Sequence, residues 1–467
     1  MDQSVPAVPP VEHENARLEI DSGSGHFRDE HGRQVVLRGI NAGGRSKWAP
    51  FLPFPVPESP SPEQVRERAI PFFESAADWG LDTLRLPFSW EAVEPVRGAY
   101  DEAYLDRYRA MLDAAWTHDM RVIVDFHQDV YASPFCGDGF PLWTLTDDEL
   151  GPPCRDDALW FLRYTMDGRV QRAFQRFWDN VDGVRDAFEA MWTHLGERLG
   201  DHPSVVAFEL INEPGWGESV DVERWKRDVL MPFYAEMERV VHQVVPDVLV
   251  CYDPPGIDAL YPIEVERHRP EGEGFIYGPH YYDNGLVNGL PWAGSNPEPV
   301  AEILADFRAQ HATPVLIGEF GYHHGAKGAE QWLERVVDAL DQYHLSGTLW
   351  EYSITDEFWN AEDLSVVDPD GSERSILEIY ARPWLRALSG THADFRWDPA
   401  RQHAWAEWLA DGGVTEIAIP TRTFDSEPVN LEIQGRNAAY TWDTERRELR
   451  VQAPAGSLVT VQFGAKR

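Results

Sequence analysis

Apolar residues in this chain fall into two alternating textures. Short, nearly unbroken apolar runs occupy 35–41, 82–88, 121–127, 205–212, 274–282, 314–320 and 347–353, with an eighth, VLVCYDP, ahead of the 274–282 run. Runs of this kind predict parallel strands covered on both faces. Longer stretches of helical period separate them. Ser61, Pro62 and Gln64 read as an N-cap, a first-turn proline and a capping-box partner. Val184, Phe188, Met191, Leu195 and Leu199 share one helical face, and 301–310 and 329–343 show similar spacing. Eight strand–helix alternations predict an α/β fold, a (β/α)8 TIM barrel and not an open sheet.

Two departures from that rhythm follow. The connection after the third run, about 128–183, is long and carries Tyr131, Phe135, Phe140, Trp143, Trp160, Phe161 and Tyr164. Such a loop at the functional face of a barrel is expected to shape a substrate site. Near residue 390 the pattern shifts to short runs of period two, at 414–420, 428–434, 438–443, 448–454 and 457–463, broken by Gly, Pro and Asp. These predict a C-terminal β-sandwich module over 390–467, behind a barrel with an N-terminal extension over 1–389. Trp405, Trp408 and Trp442 in this module fit packing against its own core or the barrel better than carbohydrate or membrane binding, since no basic cluster accompanies them.

Length and charge narrow the picture. The 467 residues exceed the usual ~250 of one barrel, in keeping with a second module. Lys and Arg number 41 against 79 Asp and Glu, a formal charge of -38 that disfavours nucleic acid, anionic membranes and polyanionic substrates. No apolar run is long enough for a transmembrane helix. The first twenty residues lack the basic and apolar regions of a secretory leader, which favours a cytoplasmic protein, or a secreted one already trimmed. Cys251 reads as a buried thiol, while Cys136 and Cys154 bracket a Gly- and Pro-containing loop and either pair or stay free. A monomer is expected.

Barrel enzymes place their chemistry at the C-terminal ends of strands. Those positions hold Arg85, His127, Asp129, Asn212, Glu213, His280, Tyr282, Glu319 and Trp350. Glu213 and Glu319 end the fourth and seventh runs, so they face each other across one mouth. Two opposed carboxyls suit a retaining glycosidase, one protonated for the leaving group and one ionised to attack the anomeric carbon. A rim ion pair explains a single strand-end Glu as well, but explains this pair within this polar set less well.

VVAFELINEP around Glu213 and VLIGEFG around Glu319 resemble the acid/base and nucleophile strands of glycoside hydrolase family 5 and its clan. LRLPFSW (Arg85), DFHQD (His127, Asp129), HYY (His280, Tyr282) and LWEYS (Trp350) match the family's remaining motifs in order. RGINAGGRSKWAP, DFHQDVYASPFCGDGFPLW and the C-terminal module look most like its endoglycoceramidase-related branch, which implies a β-glycoside or glycolipid substrate with a hydrophobic aglycone such as ceramide or sterol.

The resemblance and the residues together imply roles. Glu213 is the acid/base, expected to be protonated at rest, and Glu319 the nucleophile, held by Arg85 and Tyr282. Asn212 meets the sugar 2-hydroxyl, His127, Asp129 and Lys47 meet other hydroxyls, His280 sits near Glu213, and Trp350 floors the sugar. No cofactor is called for.

Three other functions are compatible with parts of the sequence. Asp125, His127, Asp129 and the His323-His324 pair could hold a catalytic metal, but hydroxyl binding accounts for them without one. A non-catalytic carbohydrate-binding barrel would be expected to lack one carboxylate. An exo-acting β-glucosidase, glucosylceramidase or steryl-β-glucosidase would close the site beyond the first sugar, through the 283–296 or 128–183 loops.

Overall fold

The computed structural model describes residues 7–464; the first six residues of the segment read for a leader lie outside them. Eight parallel strands form one sheet: Arg38–Asn41, Thr83–Phe88, Arg121–Phe126, Val205–Glu209, Leu249–Tyr252, Phe275–Tyr277, Leu316–Ile317 and Ser346–Leu349. The eighth pairs with the first, and the bridges Tyr277–Val315 and His280–Glu319 join the sixth to the seventh, so the barrel closes. These short strands fall within or largely within the longer apolar runs, and past the fourth, sixth and eighth strands the runs continue toward the mouth.

Helices cover the outside. Ser61 caps the helix Pro62–Asp78 by the reciprocal bonds of a capping box with Gln64. Val184, Phe188, Met191, Leu195 and Leu199 of the helix Val184–Leu199 are buried against the barrel.

A β-sandwich completes the structure. One antiparallel sheet runs in the order Glu19–Ile20, Phe27–Arg28, Gln34–Val35, Trp384–Leu388, Val414–Ala418, Glu448–Gln452, Ala439–Asp443. The other comprises Gly390–Asp398, His403–Ala410, Leu458–Gly464 and Glu432–Gln434. Strands from both ends of the chain therefore meet in one sheet, with Val35 opposite Ala387. The change of texture near 390 falls between two strands that belong to different sheets. Trp408 is buried in the sandwich core, with Trp442 packed against it. Trp384 donates its indole N–H to the Gly80 carbonyl and lies against the Arg38 guanidinium, at the N-terminal ends of the barrel strands. The sandwich thus braces the end of the barrel opposite the mouth.

Candidate active site

Closure of the barrel brings the two glutamates together. Glu319 follows the seventh strand and is bridged to His280 beyond the sixth. Glu213 follows the fourth strand with φ of 40°, a left-handed conformation uncommon for a side chain of this kind. Its backbone is pinned there: the Gln128 amide donates to the carbonyls of Asn212 and Glu213 at 2.7 and 3.0 Å, and the Tyr164 hydroxyl donates to the Glu213 carbonyl at 3.3 Å. Gly256 packs against the Glu213 carboxylate, so that a Cβ at this position would push Oε2 aside. One carboxylate oxygen each of Glu213 and Glu319 and a ring nitrogen of His280 lie within 4.8 Å of one another.

The two carboxyls have different partners. Arg85 Nη1 donates to Glu319 Oε1 at 2.7 Å and the Tyr282 hydroxyl donates to Oε2 at 2.8 Å. Burial alone would raise the Glu319 pKa, but His280, Arg85, His127 and Lys47 outweigh it and bring it down to about 2. Burial and the negative charge of Glu319 hold the Tyr282 hydroxyl well above its ordinary pKa, so it remains a donor. Glu213 Oε1 accepts from His280 Nδ1 at 2.8 Å. Burial works against the imidazolium, yet Glu319 and Glu213 raise the His280 pKa on balance.

Beneath them Arg85 is fully buried and organises a polar floor. It donates to both oxygens of Glu209, to Asn41 Oδ1 at 2.8 Å and to Asn212 Oδ1 at 2.8 Å, and its guanidinium lies 3.1 Å from Asp125. Asn212 also donates from Nδ2 to the Gln128 carbonyl at 3.0 Å, which leaves one amide proton free of these contacts. Glu209 is the last residue of the fourth strand, but the apolar run continues past it through Leu210 and Ile211, so nothing in the local pattern marks it as Arg85's partner.

A second charged cluster lines the other side of the mouth. His127 Nδ1 is 2.9 Å from Asp125 and its Nε2 3.5 Å from Asp129. Burial notwithstanding, Asp125 and Asp129 push the His127 pKa up to about 10. Lys47 Nζ donates to Asp129 at 2.7 Å and to Glu362 at 3.1 Å, and it lies 3.8 and 4.9 Å from the ring centres of Trp359 and Trp350. Trp350 stacks on His127 with centroids 5.0 Å apart. The carboxylates considered as metal ligands are thus already matched by Arg85, His127 and Lys47. Among the His323-His324 pair, His323 Nδ1 contacts the His324 carbonyl at 2.9 Å.

The cavity above these groups measures about 520 Å³. Lys47, His127, Asp129, Glu213, Tyr282, Glu319 and Trp350 line it, while Arg85, Asn212 and His280 stand behind that lining. Glu362 and Asn360 also line it, from a loop after the eighth strand in which the sequence showed no motif. The remaining wall is mainly apolar, including Phe161, Leu162, Trp216, Ile257, Leu260 and Val287. Both loops considered for closure, 283–296 and 128–183, contribute to it. A bond between Cys136 and Cys154 ties the second.

The family model described as Cellulase (glycosyl hydrolase family 5) matches residues 53–356. Endoglycoceramidase I of Rhodococcus hoagii (strain 103S) is 33% identical over 189 residues, 40% of this chain and 35% of its own length. A glucosylceramidase of Cryptococcus neoformans var. grubii is 29% identical over 246 residues, 40% of this chain and 32% of its own length. The alignments thus span about a third of these curated relatives. The solved structure of endo-glycoceramidase II from Rhodococcus sp. in a ganglioside GM3 complex superposes with a TM-score of 0.71 at 25% identity, covering 94% of this chain and 99% of that one. The matched family region contains both opposed glutamates and most of the barrel that holds them, and on that match this chain belongs to glycosyl hydrolase family 5.

Proposed function

We propose that this protein is a retaining β-glycoside hydrolase that cleaves between a glycan and a ceramide-like hydrophobic aglycone. The observation that carries the reaction type is the approach of the Glu213 and Glu319 carboxylates to within 4.8 Å. Retention needs carboxyls about 5–5.5 Å apart, and inversion leaves several ångströms more for a water. Ionised Glu319 attacks the anomeric carbon as the bond to the aglycone oxygen breaks, and Glu213 gives that oxygen its proton. Water then attacks the same carbon, Glu213 takes the water's proton, and Glu319 leaves as a carboxylate.

The cavity's two-sided lining supports the substrate class. His127, Asp129, Lys47 and Glu362 can bond sugar hydroxyls over Trp350, with Asn212 reaching the 2-hydroxyl through its remaining amide proton. The wall formed by Trp216, Ile257, Leu260 and Val287 suits a lipid. The names of the relatives point the same way, to endoglycoceramidase and glucosylceramidase.

One observation favours the exo-acting reading. Trp160 meets Trp359 edge-on with centroids 5.0 Å apart, and Asp157 N–H donates to Asn360 Oδ1 at 3.0 Å, so loops after the third and eighth strands touch beside Lys47. The test is hydrolysis of glucosylceramide, a ganglioside and an aryl β-glucoside, with the first-formed sugar followed by proton NMR. Intact oligosaccharide released as the β-anomer supports the proposal, and monosaccharide release alone supports the exo reading. An α-anomer formed first defeats the retaining mechanism.

A further inference from the structure

Asn360, in the loop after the eighth strand, is buried and is tied by three hydrogen bonds to the loop after the third. Its backbone N–H donates to the Arg155 carbonyl at 2.9 Å, Nδ2 donates to the Cys136 carbonyl at 2.7 Å, and Oδ1 accepts from the Asp157 N–H at 3.0 Å. Two of these partners are Cys136 itself and the residue next to Cys154. The bond between those cysteines therefore holds together the two carbonyls that Asn360 bridges. The Cys154 N–H adds a backbone link across the same hook, donating to the Ser133 carbonyl at 2.8 Å.

The chain at Asn360 needs such an anchor. Asn360 and Ala361 are both left-handed, with φ of 48° and 65°. Asparagine tolerates that region, whereas alanine enters it at a cost that surrounding contacts must offset. This turn sets what reaches the cavity on either side of it. Trp359, just before it, has its ring centre 3.8 Å from Lys47 Nζ, and Glu362, just after it, accepts from Lys47 Nζ at 3.1 Å. Lys47 is the one hydrogen-bond donor to the Glu362 carboxylate among the described residues, so the loop backbone decides where that carboxylate stands.

We propose that Asn360 is a positioning residue for the sugar side of the cavity: held by the disulfide-closed hook, it sets Glu362 and Trp359 around Lys47. This rests on the hydrolase reading above, and a protease readout that needs no substrate separates the two. The test compares wild type with Asn360→Gly, which keeps the left-handed backbone accessible and deletes both side-chain bonds. Should that variant fail to fold, Asn360→Asp, which loses the Nδ2 donor and keeps the Oδ1 acceptor, takes its place. The double variant Cys136→Ser, Cys154→Ser loosens the hook from its other end.

One readout is kcat and KM on an aryl β-glucoside and on its 3-, 4- and 6-deoxy analogues. On the parent glucoside Asn360→Gly should lower kcat/KM about tenfold or more, and on the analogue lacking the hydroxyl that Glu362 holds it should stay within about twofold of wild type. The cysteine variant should show the same selectivity. The other readout is cleavage after Glu362 by a glutamyl endopeptidase, followed by mass spectrometry, which should be faster in each variant than in wild type. An equal loss on every glucoside, as a merely structural asparagine would give, overturns the proposal. So does a parent-substrate kcat/KM equal to that of wild type, or unchanged cleavage after Glu362. If wild type hydrolyses no β-glycoside, the hydrolase reading fails, and cleavage alone decides whether Asn360 places Glu362.

Discussion

Tyr282 offers a direct test of how Glu319, the proposed nucleophile, is held. Its hydroxyl donates to Glu319 Oε2 at 2.8 Å, while Arg85 serves Oε1 at 2.7 Å. Tyr282→Phe deletes one donor and keeps the ring, and His280 Nδ1 remains 3.5 Å from the freed oxygen. A hydrogen bond to a charged group is worth about 1.5–3 kcal/mol, so a step that feels its whole loss slows roughly 10- to 150-fold.

Where the charge sits decides which step that is. In the free enzyme Glu319 is ionised, its pKa brought down to about 2 against the effect of burial by His280 and Arg85. Attack on the sugar consumes that charge, so the missing donor has already destabilised the starting state and the first step loses little. In the second step the carboxylate departs and charge regrows on Oε2, where the absent donor is felt. The expected result is a lower kcat with a lower KM, kcat/KM changing less than kcat, and a burst of aglycone equal to the enzyme concentration in stopped flow with an aryl β-glucoside. An unchanged kcat, or a raised KM at constant kcat, refutes this account of Tyr282.

Three other perturbations test different parts of the structure. Burial, only partly offset by Ser353 and Lys47, pushes the Glu351 pKa from 4.5 up to about 8. Between those values the folded protein holds a proton that the unfolded chain has lost, so stability falls as pH rises through that window and levels off above it. Glu351→Gln should therefore gain on wild type by a few kcal/mol between pH 5 and 8, as an upper estimate, and no further by pH 9 in urea titrations; a constant difference would sink the idea. Lys226 is buried and donates to Asp258 at 2.8 Å and to the Glu266 carbonyl at 2.9 Å, tying down the loop that carries Ile257 and Leu260. Lys226→Met should cost about 3–5 kcal/mol in urea titrations and raise KM for a glycolipid more than for an aryl glucoside; equal changes in both would deny the loop this role. The Cys136–Cys154 bond closes a separation of 18 residues. Replacing both by Ser should cost about 3 kcal/mol, read as a lower denaturant midpoint that reducing agent no longer changes.

Barrel strands were legible because burial on both faces leaves continuous apolar runs, and the catalytic candidates because polar residues stand out at the ends of such runs. Arg85 could be singled out in LRLPF, but not its floor of Glu209, Asn41 and Asp125, since contacts across a barrel have no signature along the chain. Glu362 reaches Lys47 from 315 residues away in sequence. The strands Glu19–Ile20, Phe27–Arg28 and Gln34–Val35 were missed for another reason. A pair of residues has no period, and nothing local tells such a segment that its partner is Trp384–Leu388.

The same contrast between local and global governs the site's electrostatics. A chain carrying -38 would, on average, make every carboxylate harder to ionise. Glu319 shows the reverse, because averages act through solvent that screens charge over about 8 Å at physiological ionic strength. The Arg85 guanidinium stands 2.7 Å away, and both side chains are buried, where solvent screens the pair little. His280 lowers the pKa more than Arg85 does, and His127 and Lys47 add to them from across the mouth. Three of these cations have a further carboxylate: Arg85 has Glu209, His127 has Asp125, and Lys47 has Asp129. Those partners keep the cations protonated at the cost of part of their field. The floor of buried acids is therefore what lets Arg85, His127 and Lys47 stay charged beneath a nucleophile that needs them, and a reading confined to the two glutamates would leave that support out.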